Sequence, residues 1–511
     1  MEGDWAKGPA GSNESDWATA SPIFKHLTGY LAESWETPDS GTIVWHIRKG
    51  VHWGLNPKFE ASRLVNGREL TADDVVFSIN AMYEFPGAPY KIRFTDVERP
   101  LSVTATDKYT VVVKVTPDYL SGIFQRMSSS LNILPRDVYE KYGDMMDWKT
   151  SVGTGAFMLE DVVENSSATF VRNPNYWQTD PVGPGMGQQL PYVDIVKMLI
   201  ITDRSTRLAA FRTAKLDHLG GRNAGLGREE IVSLETTLPD LPRKGFPAYG
   251  YVVALRMDRP DAPWADIRVR QALNMAVNRE EIVKDFYDGD ANITNFPQNP
   301  FQVWVSMGVA GPLEIWPEVY QDAMHYQLEK AKQLMADAGY PNGFKIEVII
   351  ESLETRVDEL TLIKEYWSKI GVDLDIQVRE RGAYTSIAAG RTHKDAIYDS
   401  MGVSNYTWEE YRPDDSSNVG MIDDPFINKN ILEFTKYVWF EDDKAYQIMK
   451  ETLDYIVRQL WVVPFPAARE YTIWQPWLKN YDGEYMLGTT NQFGFTRFIW
   501  IDQALKKSLG F

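Results

Sequence analysis

Between Phe344 and Val378 the apolar positions change period twice. Phe344-Lys-Ile-Glu-Val-Ile-Ile has the β-branched density of a strand. Leu360, Ile363, Trp367 and Ile370 then recur at helical spacing. Val372-Asp-Leu-Asp-Ile-Gln-Val alternates strictly, the period of a second strand. Strand, helix and strand with short links make a βαβ crossover, so the two strands are expected to run parallel with a right-handed connection. Upstream, Leu328, Ala331, Leu334, Met335 and Ala338 line one helix face, with Gly339 at its C-cap and Pro341 beyond. Downstream, Ala445, Ile448, Met449, Thr452, Ile456 and Leu460 mark a long helix that the prolines of Val463-Pro-Phe-Pro stop. The second half of the chain therefore reads as an α/β lobe from periodicity alone.

The first half is more broken. Thr42-Ile-Val-Trp-His-Ile-Arg and Tyr109-Thr-Val-Val-Val-Lys-Val read as strands, and so does Val193 to Ile201. Thr71 is placed as an N-cap with Asp74 three residues on, ahead of the apolar stripe Val75, Ile79 and Met82. Ser205 to Lys215 reads as a helix. Tyr249 to Met257 reads as a strand, Asp258 to Asp266 as a turn, and Val269, Leu273, Ala276 and Val277 as the face of a helix capped by Asp266. This strand, turn and helix join the two halves.

Composition narrows the function classes. At 511 residues the chain is too long for one core, so two or three domains are expected. A hydrophobic content of 44% with 24% charged residues is that of a globular protein, and no run of 18 apolar residues occurs. A net charge of −18 argues against nucleic acid as a partner. The absence of cysteine excludes disulfides, thiolate metal sites and cysteine nucleophiles. None of the six histidines pairs at ligand spacing, so no metal and no cofactor is expected. Gly153 and Gly155 read as turn glycines, because no Lys-Ser/Thr follows to make a phosphate loop. No nucleophile elbow appears, and the chain is not expected to be an enzyme. The 17 Trp and 26 Tyr must fill cores or line a binding surface. The first residues carry no basic n-region and no apolar h-region, so no signal peptide is expected in this sequence.

Several stretches carry a family resemblance. They are Leu31-Ala-Glu-Ser-Trp-Glu, Ile47-Arg-Lys-Gly-Val-His-Trp and Asn66-Gly-Arg-Glu-Leu-Thr-Ala-Asp-Asp-Val-Val-Phe-Ser-Ile, followed by Leu134-Pro-Arg-Asp-Val-Tyr-Glu-Lys and Ala262-Pro-Trp-Ala-Asp-Ile-Arg-Val-Arg-Gln-Ala-Leu. Together they resemble the family 5 extracellular solute-binding proteins, the oligopeptide, dipeptide and nickel binders of bacterial ABC importers. The resemblance runs over nearly the whole chain from Leu31. It implies an α/β protein of the periplasmic-binding-protein type II fold, two lobes with an extra subdomain in the first. Residues 1–152 would be mostly that subdomain, 153–257 the core of the first lobe, 258–468 the second lobe, and 469–511 the return to the first. The family's upstream strand is not recognisable, and Glu2 to Ile23 stands in its place.

What the resemblance implies of function is capture of an oligopeptide-like solute between the lobes, hinge closure, and delivery to an importer permease. The expected setting is periplasmic or extracellular, at the cell surface, and the expected state is a monomer. Two other readings are an oligosaccharide binder, whose rings would stack on Trp, and a hydrolase reusing the cleft. Tyr249 and Tyr251 enter the crossing between halves. Trp304 ends a loop from Asn295 in which the family presents residues to ligand. Asn405, Tyr406, Trp408 and Glu409 follow a strand near Ala396. Peptide-binding members carry there a Trp and an acid that meets the peptide amine. Trp408 would be that Trp, and Glu409, Glu410 and Asp414 are the candidate acids. Arg379, with Arg381, is a candidate for bidentate contact with a ligand carboxylate.

Overall fold

The computed structural model describes residues 1–511 except 21–22, 86–87, 89, 92–93, 222–225, 402–407 and 490, and except the side chains of Glu354 and Glu409. The subdomain is an antiparallel sheet of β1 (Ala32–Asp39), β2 (Thr42–Ile47), β3 (Ser102–Asp107) and β4 (Thr110–Lys114), in the order β1-β2-β4-β3. Helix α1 (Ala72–Glu84) starts with the expected capping box, in which the Thr71 N–H donates to Asp74 Oδ2 at 3.0 Å. Helix α2 (Leu120–Ser130) lies against β2, with the Phe124 ring stacked on Trp45 at 4.6 Å. Strands β5 (Phe157–Val163), β6 (Ser167–Arg172) and β7 (Ile195–Leu199) form a separate meander.

Two sheets follow, one for each lobe. The first is built on β8 (Arg243–Pro247) and a long strand at 467–474, joined by the short strands His218–Leu219 and Ala291–Asn292. The second begins with β9 (Tyr251–Leu255). It continues with β10 (Lys345–Glu351), helix α3 (Glu354–Ser368), β11 (Asp373–Arg379), β12 (Ala396–Ser400) and β13 (Val462–Pro464), in the order β11-β10-β12-β9-β13. β10 and β11 pair in parallel from Lys345↔Asp373 to Glu351↔Arg379, as the βαβ pattern requires. Ile346, Val348, Ile350 and Leu374 are fully buried beside Leu360, Ile363 and Trp367 of α3, because helices cover this sheet. The last long strand, β14 (Ala467–Trp474), returns to the first sheet.

The expected boundaries need correction at the crossing. A break after residue 257 leaves β9 with the first half, yet β9 pairs with β12 and β13 of the second sheet. The chain therefore crosses at residues 248–250, and it returns at 465–466, ahead of β14.

The first residues are integrated rather than loose. Glu2–Gly3 pairs with Leu27–Thr28, and Trp5 stacks on Phe498 at 4.3 Å. Trp5 and Trp17 are buried in one cluster with Trp474 and Phe495. The Glu2 carboxylate forms a buried ion pair with Arg497. The subdomain also meets the second lobe: Phe124 lies 5.1 Å from Phe440 and 6.2 Å from Trp439.

Candidate functional site at the inter-lobe crossing

Two chain segments run side by side between the sheets. On the first-lobe side the Ala248 N–H donates to the Ala468 carbonyl at 3.0 Å. On the second-lobe side the Phe465 N–H donates to the Tyr251 carbonyl at 2.9 Å. Asn295, 4% exposed, braces the pair: its Nδ2 donates to the Ala248 carbonyl at 2.7 Å, and its Oδ1 accepts from Asn292 at 2.8 Å. Each crossing is two or three residues long, with regular strand on both sides. Rotation can be absorbed there without breaking either ladder.

The rim of the second sheet lies next to this hinge. β10, β11 and β12 end there with Glu351, Arg379 and Ser400, and β9 begins there, since Tyr251 is the ladder partner of Ser400. Carboxyl ends of parallel strands are the usual place for ligand in open α/β sheets. The rim carries a built polar cluster. The Arg356 guanidinium sits over the Tyr251 ring, 3.4 Å from its centroid. Arg356 Nη1 donates to both oxygens of Glu359, at 2.9 and 3.0 Å. Glu359 also accepts from the Tyr287 and Tyr398 hydroxyls, each at 2.8 Å. Burial works against the Arg356 charge, but Glu359 and Tyr251 outweigh it and hold the guanidinium more firmly protonated than usual. Among the described residues Arg356 spends only Nη1 on hydrogen bonds, which leaves two nitrogens of its fork for a ligand. Beside it, burial raises the Asp399 carboxyl above its ordinary range, against hydrogen bonds from the Tyr384 side chain and the Ser400 N–H.

The residues singled out from sequence fall in different surroundings. Tyr249 is half-buried in the 248–250 crossing. Arg379 is half-buried at the end of β11, and its Nη2 donates to Gln377 Oε1 at 3.0 Å. Arg381 is 82% exposed, 3.6 Å from Glu351. Trp304 and Trp408 are 3% and 1% exposed and belong to the largest core cluster, so neither offers a free ring face for sugar stacking. Trp408 has a left-handed backbone, φ 55°, and its ring meets Phe434 edge-on at 5.8 Å. Asn405 and Tyr406 lie outside the described residues, and of Glu409 only the backbone is described. Arg356, Glu359 and Asp399 were not anticipated. The signal for Arg356 and Glu359 was their place in the βα turn and first helical turns after β10, where ligand groups gather.

Two sheets joined by a double crossing, with a polar rim beside it, are the architecture of a two-lobed binding-protein fold. Residues 26–418 match the family described as bacterial extracellular solute-binding proteins, family 5, and the chain belongs to that family. It is 28% identical over 370 residues to heme-binding protein A of Haemophilus influenzae, an alignment covering 67% of this chain and 60% of the relative. It is 27% identical over 411 residues to the dipeptide-binding protein of Escherichia coli, covering 74% of this chain and 70% of that protein. The fold is that of the periplasmic binding protein DppA from Helicobacter pylori in complex with the peptide STSA, with a TM-score of 0.70, 21% identity, and coverage of 98% of this chain and 96% of the other. Among the described residues no helix is long and apolar enough to cross a membrane, and no group of side chains is arranged to hold a metal ion.

Proposed function

We propose that this protein is the solute-binding component of an ABC importer, working in the periplasm or at the outer cell surface, and that its solute is a short peptide. The observation that carries the reading is the Arg356–Tyr251–Glu359 cluster on the second-lobe rim, beside the two crossing segments. A peptide presents a carboxylate that the free arm of the Arg356 fork can meet, and an amine that suits the Glu351 and Asp399 carboxylates on the same rim. Arg379 and Tyr249 stand at the edges of this surface. The dipeptide-binding relative and the peptide-bound structural neighbour support the same solute class. Ligand contacts made only when both lobes meet favour the closed form by the difference in affinity, and a permease would read that form. No bond is broken in this cycle, and a monomer suffices for it.

The test is native mass spectrometry after incubation with a pool of synthetic tripeptides to pentapeptides, followed by denaturing release and sequencing of what is bound. The expected result is a noncovalent complex that returns intact peptide. A protein that stays empty, or that releases only a sugar or a tetrapyrrole when these are offered in competition, overturns the peptide assignment. Cleaved peptide overturns the binding-protein reading.

A further inference from the structure

Helix α2 of the subdomain is buried from Leu120 to Ser129. A helix is buried all round only when it is covered on more than one side. One side of α2 meets β2, where Phe124 stacks on Trp45. Another meets helix α4 (Pro425–Tyr437) of the second lobe. These two helices approach so closely that a Cβ on Gly122 would lie 2.1 Å from Thr435 Cγ2. Phe124 lies 5.1 Å from Phe440, and Phe24, on the segment leading into the subdomain, stacks on Trp439 at 5.4 Å. Trp45, Phe124 and Met127 accordingly share one core cluster with Ile431, Phe434 and Trp439. A buried ion pair spans the same boundary. Glu98 of the subdomain, 1% exposed, lies 3.4 Å from Arg412 of the second lobe. Arg126 of α2 donates to the Glu98 carbonyl at 2.5 Å. The Arg126 and Arg412 guanidiniums both stand over the Phe94 ring, at 4.2 and 5.2 Å.

The subdomain meets the first lobe differently. Its neighbour there is the β5–β7 meander, whose Phe157 and Leu190 pack with Trp474 and Phe498. Asn56 donates to Glu160 Oε2 at 2.7 Å, the half-exposed Lys58 pairs with the same carboxylate at 3.1 Å, and Arg48 lies 4.5 Å over the Trp177 ring. Among the described residues of the first sheet, only Phe246, beside the crossing, enters the shared core cluster.

We infer that the subdomain, although chain order attaches it to the first lobe, moves with the second lobe as one rigid body. The inference rests on the closure reading above and goes beyond it by assigning the subdomain to the opposite jaw. Parting α2 from α4 would expose an apolar interface, at a cost that grows with its area. The polar links to the meander exchange their partners for water at little net cost. Rotation therefore takes the second route. The Glu98–Arg412 pair fixes the register of the composite body, the use of buried ion pairs that is best attested. The moving joint then has a third part besides the two crossings. It is the irregular chain at 29–31, which enters the subdomain, and at 151–156, which leaves it through Gly153 and Gly155. Neither glycine has a neighbour that would crowd an added Cβ, so this exit has room to turn.

Two measurements test it. The first is pulsed electron–electron resonance between a label at Leu101 of the subdomain, 65% exposed, and a label on either lobe, at Val378 or Val232. With a saturating pool of synthetic tripeptides to pentapeptides, the Leu101→Cys, Val378→Cys distance should stay constant while the Leu101→Cys, Val232→Cys distance shifts. A Leu101–Val378 distance that changes overturns the composite body and spares closure. Two constant distances with peptide bound overturn closure and the composite body together. The second measurement needs no ligand. Hydrogen exchange of the free protein compares α2, α4 and β14. Gly122→Ala wedges the α2–α4 contact and should speed exchange in both helices by about tenfold or more, with β14 unchanged. Glu98→Gln keeps the side chain's size, removes its charge, and should speed the same two helices more mildly. Faster exchange confined to α2, in either variant, means that the subdomain is not docked on the second lobe and overturns the inference.

Discussion

The Arg356 guanidinium lies 3.4 Å from the centroid of the Tyr251 ring, although the two residues stand on segments about a hundred positions apart. Tyr251 is the first residue of the strand that leaves the hinge. The pair thus fixes a cation at the point where the second lobe meets the crossing. Arg356→Ala removes that cation and leaves the Glu359 carboxylate, 4% exposed, without its counter-charge. Loss of one partner of a buried pair costs about 3–5 kcal/mol, and partial exposure of Arg356 lowers the expected loss here to about 2–3. Urea denaturation measures it. Arg356→Lys keeps a charge without the fork. It should retain most of the stability while peptide affinity falls by roughly tenfold. An Arg356→Lys protein that binds peptides as wild type does would remove Arg356 from the site.

Asn295 braces the first crossing through its 2.7 Å hydrogen bond to the Ala248 carbonyl. Asn295→Ala leaves that carbonyl without its side-chain donor and opens a small gap, so a loss of about 1–2 kcal/mol is expected. Hydrogen exchange should show faster opening of the 248–251 amides in the variant. Unchanged exchange there would mean that the crossing is held by the strands alone.

Glu484 gives the molecule a pH dependence. It is 2% exposed, and burial pushes its carboxyl up to about 7, with the Asp482 N–H bond and Lys244 acting the other way and Asp482 adding to the rise. The unfolded chain loses this proton at ordinary carboxylate pH, near 4 to 5. The folded state therefore binds the extra proton between about pH 4.5 and 7. Stability falls as pH rises through that window and levels off above it, by up to roughly 3 kcal/mol. Glu484→Gln keeps an acceptor for the Asp482 N–H and has no charge to bury. Its melting temperature should exceed the wild type's at pH 8 and match it near pH 5. A constant difference at both pH values would contradict this assignment.

Much of the second lobe was legible in the sequence because its elements have clean periods. The alternation of Val372 to Val378 and the helical face through Trp367 required a parallel pair, and β10 and β11 are one. The Thr71–Asp74 cap was legible because capping is local. Partner choice was not. The residues of β9 announce a strand, but nothing in their period says whether Val252 and Val253 pair with the sheet before the crossing or after it. Side-chain type was also a poor guide to the site. Trp304 and Trp408 are candidate ligand contacts by residue type and neighbourhood, and the fold buries both rings in the core. Arg356 reads as an ordinary helix-surface charge until Tyr251 arrives over it from another part of the chain.

The central claim is that a solute is captured by closure about the 248–250 and 465–466 crossings. The chain has no cysteine, so labels can be placed without background. Val232, 43% exposed on a first-lobe helix, and Val378, 42% exposed on β11, are suitable positions. Pulsed electron–electron resonance on the doubly spin-labelled Val232→Cys, Val378→Cys protein measures the distance between lobes. With a saturating pool of short peptides the distribution should shorten and narrow, and it should return on dialysis. A distribution that stays the same while calorimetry records peptide binding would contradict the account.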